Sequence, residues 1–533
     1  MFTISENAVE WALKHVERYY SSDFFPAPFE FVAIRHAWND VKQHLLGLDL
    51  EQYVPRAALT ALAPKANGTF RVVHQLDPLD ALLYTALVYD FHQKIEEFRI
   101  PATEGIACSY RINPDINGSF FSKDEDGWST YVLKTKALAK SFSKGYVVLL
   151  DIVDFYNQIN THRIRNVLAE AAGRSSEKAA KVLEDFILAL NTKTSQGIPV
   201  GPAASILLAE AIMGDIDRKI LSYTRDFVRW VDDIRVFFGN KDEARWFLHE
   251  LTHYMYENHR LVFSGEKTKI VSVENFQTRF FRDEKVEERK RLKAKQEELA
   301  LKEYYEELLE NVGPYESPEE IFDPEEFEAV LEKIANSKRS EILSRTYLEM
   351  LTDEMTSGKP EIPLLRRIFR NAGKYRIRSI IPVVFSRFEE LTPIVREVAL
   401  YLKKVMTEKV AVEYEKKLEA ILASSTGRIP YVNMWLSHVL QDEAFNKTSL
   451  PSKYNQIIGL RDHALIARRR QDTTLVKSYK SGLDVLGPWE KRAILYSSTV
   501  LSKDEMVTWL RIAGARGDVI EKAIASYLLG LSK

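Results

Sequence analysis

The sequence predicts a mixed α/β core over residues 146–283, followed by an all-α region over residues 331–533. Two observations carry this prediction. Short apolar strands around 145–153, 226–230 and 234–238 alternate with helical stretches, which is typical of an α/β fold. Beyond Phe327, apolar residues recur at i, i+3 and i+4 almost without interruption, as they do in helices packed on one face.

Residues 1–145 mix helical and extended patterns. The segment from Pro64 to Arg99 predicts a strand, a turn and a strand followed by a helix. Its turn contains Asn67-Gly68 between apolar runs, and this dipeptide is a strong hairpin signal. We expect the N-terminal region to precede the core as a separate subdomain.

The second half of the chain begins with a change in composition. Residues 284–330 form a charged helical pattern and then an acidic, proline-containing stretch, which predicts a solvated connector. Residues 331–533 follow as helices of about 12 to 18 residues, several of them opened by proline. A stacked, HEAT-like helical repeat and an irregular helical bundle both fit this pattern.

The composition is that of an ordinary globular protein. The chain has 533 residues, of which 45% are hydrophobic and 28% charged, with one cysteine, Cys108. A single thiol excludes an intrachain disulfide framework and a cysteine-built metal site. No secretory signal pattern or apolar span of membrane length is visible, so we expect a cytoplasmic protein without membrane contact. A net charge of −2 does not favour nucleic acid as a partner.

Carboxylates stand at the ends of two predicted strands. Asp151 follows the apolar run Tyr146–Leu150, and Asp232-Asp233 separates the other two strands, which predicts a hairpin with its acids at the tip. Taken alone, Asp-Asp is a common turn dipeptide. Two strand-end acid sites in one core instead predict a site for two hard cations, the arrangement that phosphoryl transfer uses.

Further candidates flank these acids. A loop of Gly and Pro residues over 194–202 precedes an apolar helix, and is by itself consistent with a tight turn before a helix. Lys65, Arg71 and Lys267 are each, taken singly, consistent with a surface charge.

Together these segments resemble the reverse-transcriptase family, in the order and approximate spacing of its motifs. Asp151-Ile-Val-Asp-Phe-Tyr156 resembles motif A, and Ser-Gln196-Gly197 with Pro202 resembles motif B. Trp230-Val-Asp232-Asp233 resembles the Tyr-x-Asp-Asp box of motif C, and Lys267-Thr268 resembles motif D. Phe-Arg71-Val-Val with Asp80, and Ser109-Tyr110-Arg111, resemble the fingers motifs. The resemblance covers residues 60–283 and implies right-hand polymerase fingers (1–145) and palm (146–283).

The resemblance also implies a role for each matching residue. Asp151 and Asp232 would hold two Mg²⁺ ions, with Mn²⁺ as an alternative, and Asp233 would be a weaker ligand. Lys267 would protonate the leaving pyrophosphate, which makes it catalytic together with the three aspartates. The remaining residues would bind the dNTP: Lys65 and Arg71 at the triphosphate, Tyr156 under the sugar, and Gln196 and Gly197 around the nucleotide. Trp230 and Gly201 depart from the usual Tyr and Ser of motifs C and B.

His249-Glu250-Leu-Thr-His253 matches H-E-x-x-H, the zinc-protease helix. We expect both histidines to face water, because Phe247, Leu251 and Met255 form an apolar stripe on another side of the same helix. A packing helix of the palm is therefore favoured over a zinc site.

Segments near both termini resemble the bacterial abortive-infection and defence-associated reverse transcriptases. They are 20–30, with Asp23 and Pro26, and 484–495, with Gly-Pro488-Trp489, followed by Met506 and Trp509. This narrower resemblance implies a bacterial antiphage polymerase with a C-terminal helical repeat domain that primes DNA synthesis on a protein hydroxyl, untemplated or from a bound RNA, and forms a homo-oligomer. Two alternatives stay open: a templated RNA-directed polymerase of a retroelement, and a non-catalytic helical scaffold.

The C-terminal region also contains local basic clusters. Seven basic residues and no acid lie between Arg366 and Arg387, and Arg468-Arg469-Arg470 forms a second cluster. These helices could line a groove for single-stranded DNA, with Tyr375 and Phe385 stacking on bases, or could pair with acidic segments. The sequence does not single out a priming hydroxyl; the candidates include Tyr19, Tyr20, Tyr375, Tyr454, Tyr479 and Tyr496.

Overall fold

The computed structural model describes residues 1–19, 24–122, 127–192, 194–280, 341, 343–356, 360–446 and 457–531. The predicted connector at 284–330 lies outside the described residues, as do Tyr20, Asp23 and Tyr454. The chain forms two compact units. The first contains Met1–Ala61, Val72–Phe280 and Ser502–Lys533, and the second contains Leu62–Arg71 and Phe281–Leu501.

The first unit is the α/β part of the chain. Its helices are α1 (Glu6–Arg18), α2 (Glu30–His36), α3 (Trp38–Gly47), α4 (Pro78–Tyr89), α5 (His92–Phe98), α6 (Gly127–Ser141), α7 (Phe155–Gln158), α8 (Thr161–Ala172), α9 (Glu177–Leu190), α10 (Ala203–Leu221) and α11 (Lys241–Tyr254). Shorter helical turns lie at Ala102–Glu104, Arg174–Ser176 and Met255–His259. Residues 273–280 are also helical.

The strands form two sheets. The predicted hairpin is confirmed as β1 (Leu59–Pro64) and β2 (Phe70–Gln75), joined through Asn67-Gly68. The core sheet contains β3 (Tyr146–Leu150), β4 (Phe227–Trp230), β5 (Asp233–Phe238) and β6 (Lys269–Ser272), in the order β4-β5-β3-β6. All its neighbouring strands are antiparallel.

Burial explains why these strands form a sheet rather than isolated hairpins. Val147, Phe237 and Val273 are almost completely buried in one apolar cluster, to which α6 contributes Leu138. Burying apolar side chains of this size contributes about 1.5–3 kcal/mol each. The sheet is therefore held as a rigid platform, and the residues at its strand ends are placed by its register.

Local capping fixes several helix starts in the first unit. The Asn160 side chain accepts hydrogen bonds from the backbone of His162 and Arg163 at the start of α8. The Asn240 side chain does the same for Glu243 at the start of α11. Such caps satisfy backbone donors that have no partner within the helix.

The second unit contains residues 62–71 of the hairpin and a series of helices. They are α12 (Ile362–Lys374), α13 (Ile381–Ser386), α14 (Val395–Val405), α15 (Glu408–Ala423), α16 (Pro430–Leu440), α17 (Leu460–Arg469), α18 (Thr473–Tyr479) and α19 (Pro488–Tyr496). Short helical turns lie at Phe388–Ile394, Glu443–Phe445, Leu483–Val485 and Ser497–Val500. Residues 343–356 are helical too. The helical character predicted for this region is confirmed, and its repeat organisation stays a prediction.

Two helices after Leu501 return to the first unit. They are α20 (Lys503–Arg516) and α21 (Val519–Leu531), and α21 packs against α2 near the start of the chain. No helix among the described residues has both the length and the apolar character that crossing a bilayer requires.

The structure modifies the expectation for aromatic residues beside the basic cluster. Phe385 is only 9% exposed and stacks on Tyr414 with ring centroids 4.8 Å apart. The prediction that Phe385 stacks on bases is wrong, because its ring is already packed within the unit. In the Arg468-Arg469-Arg470 cluster, Arg468 lies over the ring of Tyr496 at 4.2 Å, and Arg469 is 3.4 Å from Glu443.

Candidate active site

The core sheet brings the two predicted acid positions together. Asp151 directly follows β3, whose last residue, Leu150, pairs with Ile234 of β5. Asp233 begins β5 and pairs with Trp230 across a two-residue turn formed by Val231 and Asp232. The three aspartates therefore lie at the same end of two adjacent strands in the middle of the sheet.

The backbone of that turn adopts an unusual conformation. Val231 has φ of +54°. This left-handed region is a clear outlier for a β-branched residue, and such outliers gather at functional sites because the surrounding structure must hold them. The conformation sets the direction in which Asp232, the next residue, leaves the strand.

Three carboxylates lie close together at this end of the strands, and their negative charges affect one another. Burial, and then the charges of Asp151 and Asp233, raise the pKa of Asp232 above its ordinary value, while Lys267 acts in the opposite direction. A cation placed beside these carboxylates would relieve their repulsion. The site therefore favours positively charged ligands.

Lys267 already supplies one positive charge. Its Nζ lies 3.0 Å from Oδ1 of Asp151. Backbone pairing of residues 262–264 with the chain that follows β3 places it there: Val153 N–H donates to Val262 O at 3.0 Å, and Ser264 N–H donates to Asp151 O at 2.8 Å. Lys267 thus lies beside Asp151, and the charges of both act on Asp232. The Asp233 carboxylate instead lies 3.6 Å from the guanidinium of Arg235.

The loop at 194–202 docks onto the segment after Asp151. Gly197 N–H donates to Ile159 O at 2.8 Å, and Ile198 N–H donates to Tyr156 O at 2.9 Å. Gly197 has φ of +92°, and a Cβ atom there would lie 3.2 Å from Asn157 O, so the close approach requires glycine. Gln196 is exposed beside it. Tyr156, Gln196 and Gly197 are therefore held on one small framework.

Lys65 and Arg71 are both exposed residues of the hairpin, in the part that belongs to the second unit. Their predicted contact with a triphosphate rests on the sequence pattern and stays a prediction.

Asp151 and Asp232 offer carboxylate oxygens, the type of ligand that Mg²⁺ prefers. Among the described residues, no three acidic, histidine or cysteine side chains enclose a metal position. Mg²⁺ is usually bound by one or two carboxylates plus substrate phosphates rather than by a cage of protein ligands. Two carboxylates beside an open strand end agree with that mode of binding.

Comparison with known families agrees with this geometry. Residues 63–299 match the family model described as "Reverse transcriptase (RNA-dependent DNA polymerase)". This match covers less than half of the chain, but includes all three aspartates and Lys267. The chain carries a reverse-transcriptase domain. It is a nucleotidyltransferase of the RNA-directed DNA polymerase type.

Other comparisons add less. No curated protein matches the chain. Among solved structures, telomerase from Candida albicans with a TWJ fragment of telomeric RNA is 10% identical, with a TM-score of 0.31 over 74% of this chain and 71% of that one. Apo telomerase from Candida tropicalis is 11% identical, with a TM-score of 0.32 over 90% of this chain and 74% of that one. TM-scores this low do not bear on the function of the chain.

The H-E-x-x-H match lies on α11 of the reverse-transcriptase domain. The side chains of His249 and His253 are 69% and 63% exposed, and the histidines lie beside Glu250 and Glu257 respectively. Phe247, Leu251 and Met255 are buried on the opposite side. The expectation that both histidines face water is confirmed, and the helix packs as an ordinary palm helix.

Beneath motif C the domain contains a buried ionic network that the sequence analysis did not predict. Arg229 is fully buried and binds Asp217 at 2.9 Å and Glu210 at 2.9 Å. Arg99, also fully buried, binds Glu210 at 2.8 Å. A signal was present: Glu210 and Asp217 lie seven residues apart on one face of a largely apolar helix, and Arg229 interrupts an apolar strand. Buried charges of this kind require partners.

Proposed function

We propose that the chain is a magnesium-dependent DNA polymerase that extends a hydroxyl with dNTPs. The reaction takes place at the ends of β3 and β5 that carry the aspartates. One observation carries this proposal: the antiparallel register that places Asp151 next to the Val231-Asp232 turn within the matched domain. A loose phosphoryl-transfer transition state is stabilised mainly by positioned charge, which these strand ends concentrate.

Each residue has a defined role in the proposal. Asp151 and Asp232, with Asp233 as a weaker ligand, would hold Mg²⁺ or Mn²⁺, which activates the attacking hydroxyl and neutralises the triphosphate. Lys267 Nζ gives a proton to the leaving pyrophosphate. Tyr156 lies under the sugar and disfavours a 2′-hydroxyl, while Gln196 and Gly197 shape the nucleotide pocket. Lys65 and Arg71 bind the triphosphate.

The test is nucleotide incorporation by purified protein with Mg²⁺ and labelled dNTPs. We expect a labelled product from the wild type and none from Asp232→Asn/Asp233→Asn, which removes two carboxylate charges with little change in volume. Glu243→Gln, at the exposed start of α11, removes one acidic charge elsewhere in the unit and serves as the control. Synthesis at the wild-type rate by the double variant would contradict the site assignment.

The biological role and the mode of priming extend the same proposal. The protein acts in bacterial antiphage defence by abortive infection, as a cytoplasmic homo-oligomer that primes DNA on its own hydroxyl, untemplated or from a bound RNA. The segments 20–30 and 484–495 support this role, because they resemble the abortive-infection and defence-associated reverse transcriptases. The near-neutral charge supports covalent retention of the product, because a polymerase without a broad basic surface binds free duplex weakly.

One local surface supports contact with a single strand. Helix α12 buries Leu365, Ile368 and Phe369 and exposes its basic residues on the other side. These exposed residues are Arg366, Arg367, Arg370 and Lys374. A phosphate backbone would be attracted to this face in a salt-dependent manner.

Mass spectrometry after synthesis tests priming. A peptide carrying a covalent nucleotide adduct is the expected result, and it would identify the priming residue. Active synthesis that leaves no adduct and requires an annealed primer and template would instead favour the templated RNA-directed polymerase, the function named by the matching family model.

A further inference from the structure

We propose that Ser109 and Arg229 are positioning residues that hold Val231 in its left-handed conformation and so aim Asp232 at the reaction centre. This inference rests on the polymerase function proposed above. Neither residue would touch the substrate; both act through the backbone of the turn that carries Asp232.

The register of an irregular segment beside β4 places Ser109. Ala107 forms a parallel bridge with Arg229, Arg229 N–H donates to Ile106 O at 2.8 Å, and Cys108 N–H donates to Arg229 O at 3.1 Å. Ser109 lies two residues beyond Ala107, and Val231 lies two residues beyond Arg229. In a parallel pair these two positions face each other.

Both backbone polar groups of Val231 are bound by side chains. Val231 N–H donates to Ser109 Oγ at 2.9 Å, and Arg229 Nη1 donates to Val231 O at 2.9 Å. A left-handed β-branched residue persists only where its surroundings impose that conformation. The two-residue hairpin itself takes a positive φ at its first turn position, and these two hydrogen bonds hold the backbone of Val231 there from both sides.

The two side chains are themselves held by the buried network. Ser109 Oγ donates to Glu210 Oε1 at 2.8 Å, so this hydroxyl bridges the turn and α10. Arg99 donates to Ser109 O at 2.6 Å and to Tyr110 O at 2.9 Å, which fixes the segment that carries the hydroxyl. The orientation of Ser109 is therefore determined at its side chain and at its backbone.

Opposite charges hold the network in a fixed geometry. Arg99 and Arg229 oppose Glu210 and Asp217, and all four are nearly or fully buried. Burial acts to raise the pKa of Glu210, but Arg229 and Arg99 outweigh it, so the pKa lies below its ordinary value and the carboxylate stays charged. Buried pairs of this kind have fixed geometry and are weak evidence for stability alone, which leaves orientation as their main contribution.

The test is the Ser109→Ala variant of the full chain. We expect kcat for dNTP incorporation to fall by roughly tenfold or more, because small displacements of a catalytic group are costly. The KM for dNTP should stay within about twofold, since the pocket residues on the motif B loop are not attached to Ser109. Mn²⁺ affinity without dNTP, measured by the loss of the free-ion signal in electron paramagnetic resonance, should weaken severalfold.

Two comparisons separate positioning from a general loss of structure. Ser205→Ala is the matched control, because Ser205 is a fully buried serine of the same unit whose hydroxyl contacts Tyr84 OH at 2.9 Å. It should retain wild-type kcat and Mn²⁺ affinity. Ser109→Thr keeps the hydroxyl and adds a methyl group, so it should retain most of the Mn²⁺ affinity even if it unfolds at a lower temperature.

A double variant tests the mechanism itself. Asn adopts the left-handed region far more readily than Val. In a Val231→Asn background, Ser109→Ala should therefore reduce kcat and Mn²⁺ affinity by a much smaller factor than in the wild type. Equal losses in both backgrounds would overturn the proposal.

The outcomes distinguish this inference from the proposed function. If Asp232→Asn/Asp233→Asn polymerises like the wild type, the polymerase assignment of the site fails. If that variant is inactive while Ser109→Ala keeps the wild-type kcat and Mn²⁺ affinity, only the positioning role fails. The Mn²⁺ measurement requires no catalysis, so it decides the positioning role even where no product forms.

Discussion

Lys267 is the residue whose surroundings most directly constrain its chemistry. Its Nζ lies 3.0 Å from Asp151 Oδ1 and its side chain is 69% exposed, so it contacts the carboxylate and also faces solvent. A flexible, strongly hydrated ammonium of this kind can follow a developing negative charge on a leaving oxygen.

We therefore expect Lys267→Ala to lower kcat by about 10²-fold or more, the contribution typical of a general acid. Single-turnover incorporation of labelled dNTP would measure this loss without interference from product release. Lys269→Ala is the matched control, because Lys269 is an exposed lysine of the same segment, on β6, where it pairs with Leu149 of β3. Equal losses in the two variants would remove the special role of Lys267.

Asp80 gives the domain a pH-dependent stability. It is 1% exposed, and accepts hydrogen bonds from Tyr53 OH at 2.7 Å and from Arg56 N–H at 2.9 Å. Burial, and then the charge of Asp77, raise the pKa of Asp80 to about 7. An unfolded aspartate titrates near 3.9, so between about pH 4 and pH 7 the folded chain binds a proton that the unfolded chain does not.

The sign follows from that difference in bound protons. Stability falls as pH rises through this window, with a slope of up to about 1.4 kcal/mol per pH unit from this carboxyl. Urea unfolding at about pH 5 and about pH 7.5 measures it. Asp80→Asn cannot titrate, so its unfolding free energy should fall less over the same interval than that of the wild type. Parallel pH profiles for the two proteins would contradict the assignment.

At the scale of elements, the motif B loop depends on one glycine. Gly197→Ala would strain a backbone at φ of +92° and press a Cβ to within 3.2 Å of Asn157 O. We expect a stability loss of about 1–3 kcal/mol and a higher KM for dNTP, because the loop would move away from Tyr156. Steady-state kinetics and thermal unfolding would measure the two effects.

Gly173→Ala is the control for that variant. Gly173 has a similar φ of +82°, but a Cβ there meets no atom within 4 Å. It should therefore lose some stability through the backbone alone while its KM for dNTP stays unchanged. A raised KM in both variants would show that the effect comes from general destabilisation rather than from the docked loop.

The same scale shows what the sequence could predict. The strand before Asp151 and the Asp232-Asp233 hairpin were predictable, because apolar runs and turn residues report local structure. The hydrogen bond from Val231 N–H to Ser109 Oγ, which supports the hairpin, was not predictable. Ser109 and Val231 are separated by 122 positions, and their contact depends on a parallel bridge in an irregular segment. No local periodicity encodes such a pairing, although the buried charges of α10 and β4 signalled that partners exist.

At the scale of the whole molecule, helices α20 and α21 pack within the first unit although they follow the second unit in the chain. Asp518 lies 3.0 Å from Arg56, and Tyr527 contacts His36 with ring centroids 5.5 Å apart. This part of the unit lies outside the segment that matches the reverse-transcriptase model, which ends at residue 299. The first unit thus includes structure that the reverse-transcriptase motifs do not reveal.

Leu528 and Leu531, on the same helix α21, test whether this closure is required. Leu528 is fully buried, whereas Leu531 is 61% exposed. Leu528→Ala should lower the free energy of unfolding by about 2–5 kcal/mol, through lost burial and the cavity left behind. Leu531→Ala should change it by no more than about 0.5 kcal/mol.

Urea unfolding followed by tryptophan fluorescence measures both changes, with dNTP incorporation as a second readout. If α21 completes the unit, Leu528→Ala should also lose activity at a lower temperature than the wild type. Identical unfolding curves for the two variants would mean that α21 contributes no stability to the first unit.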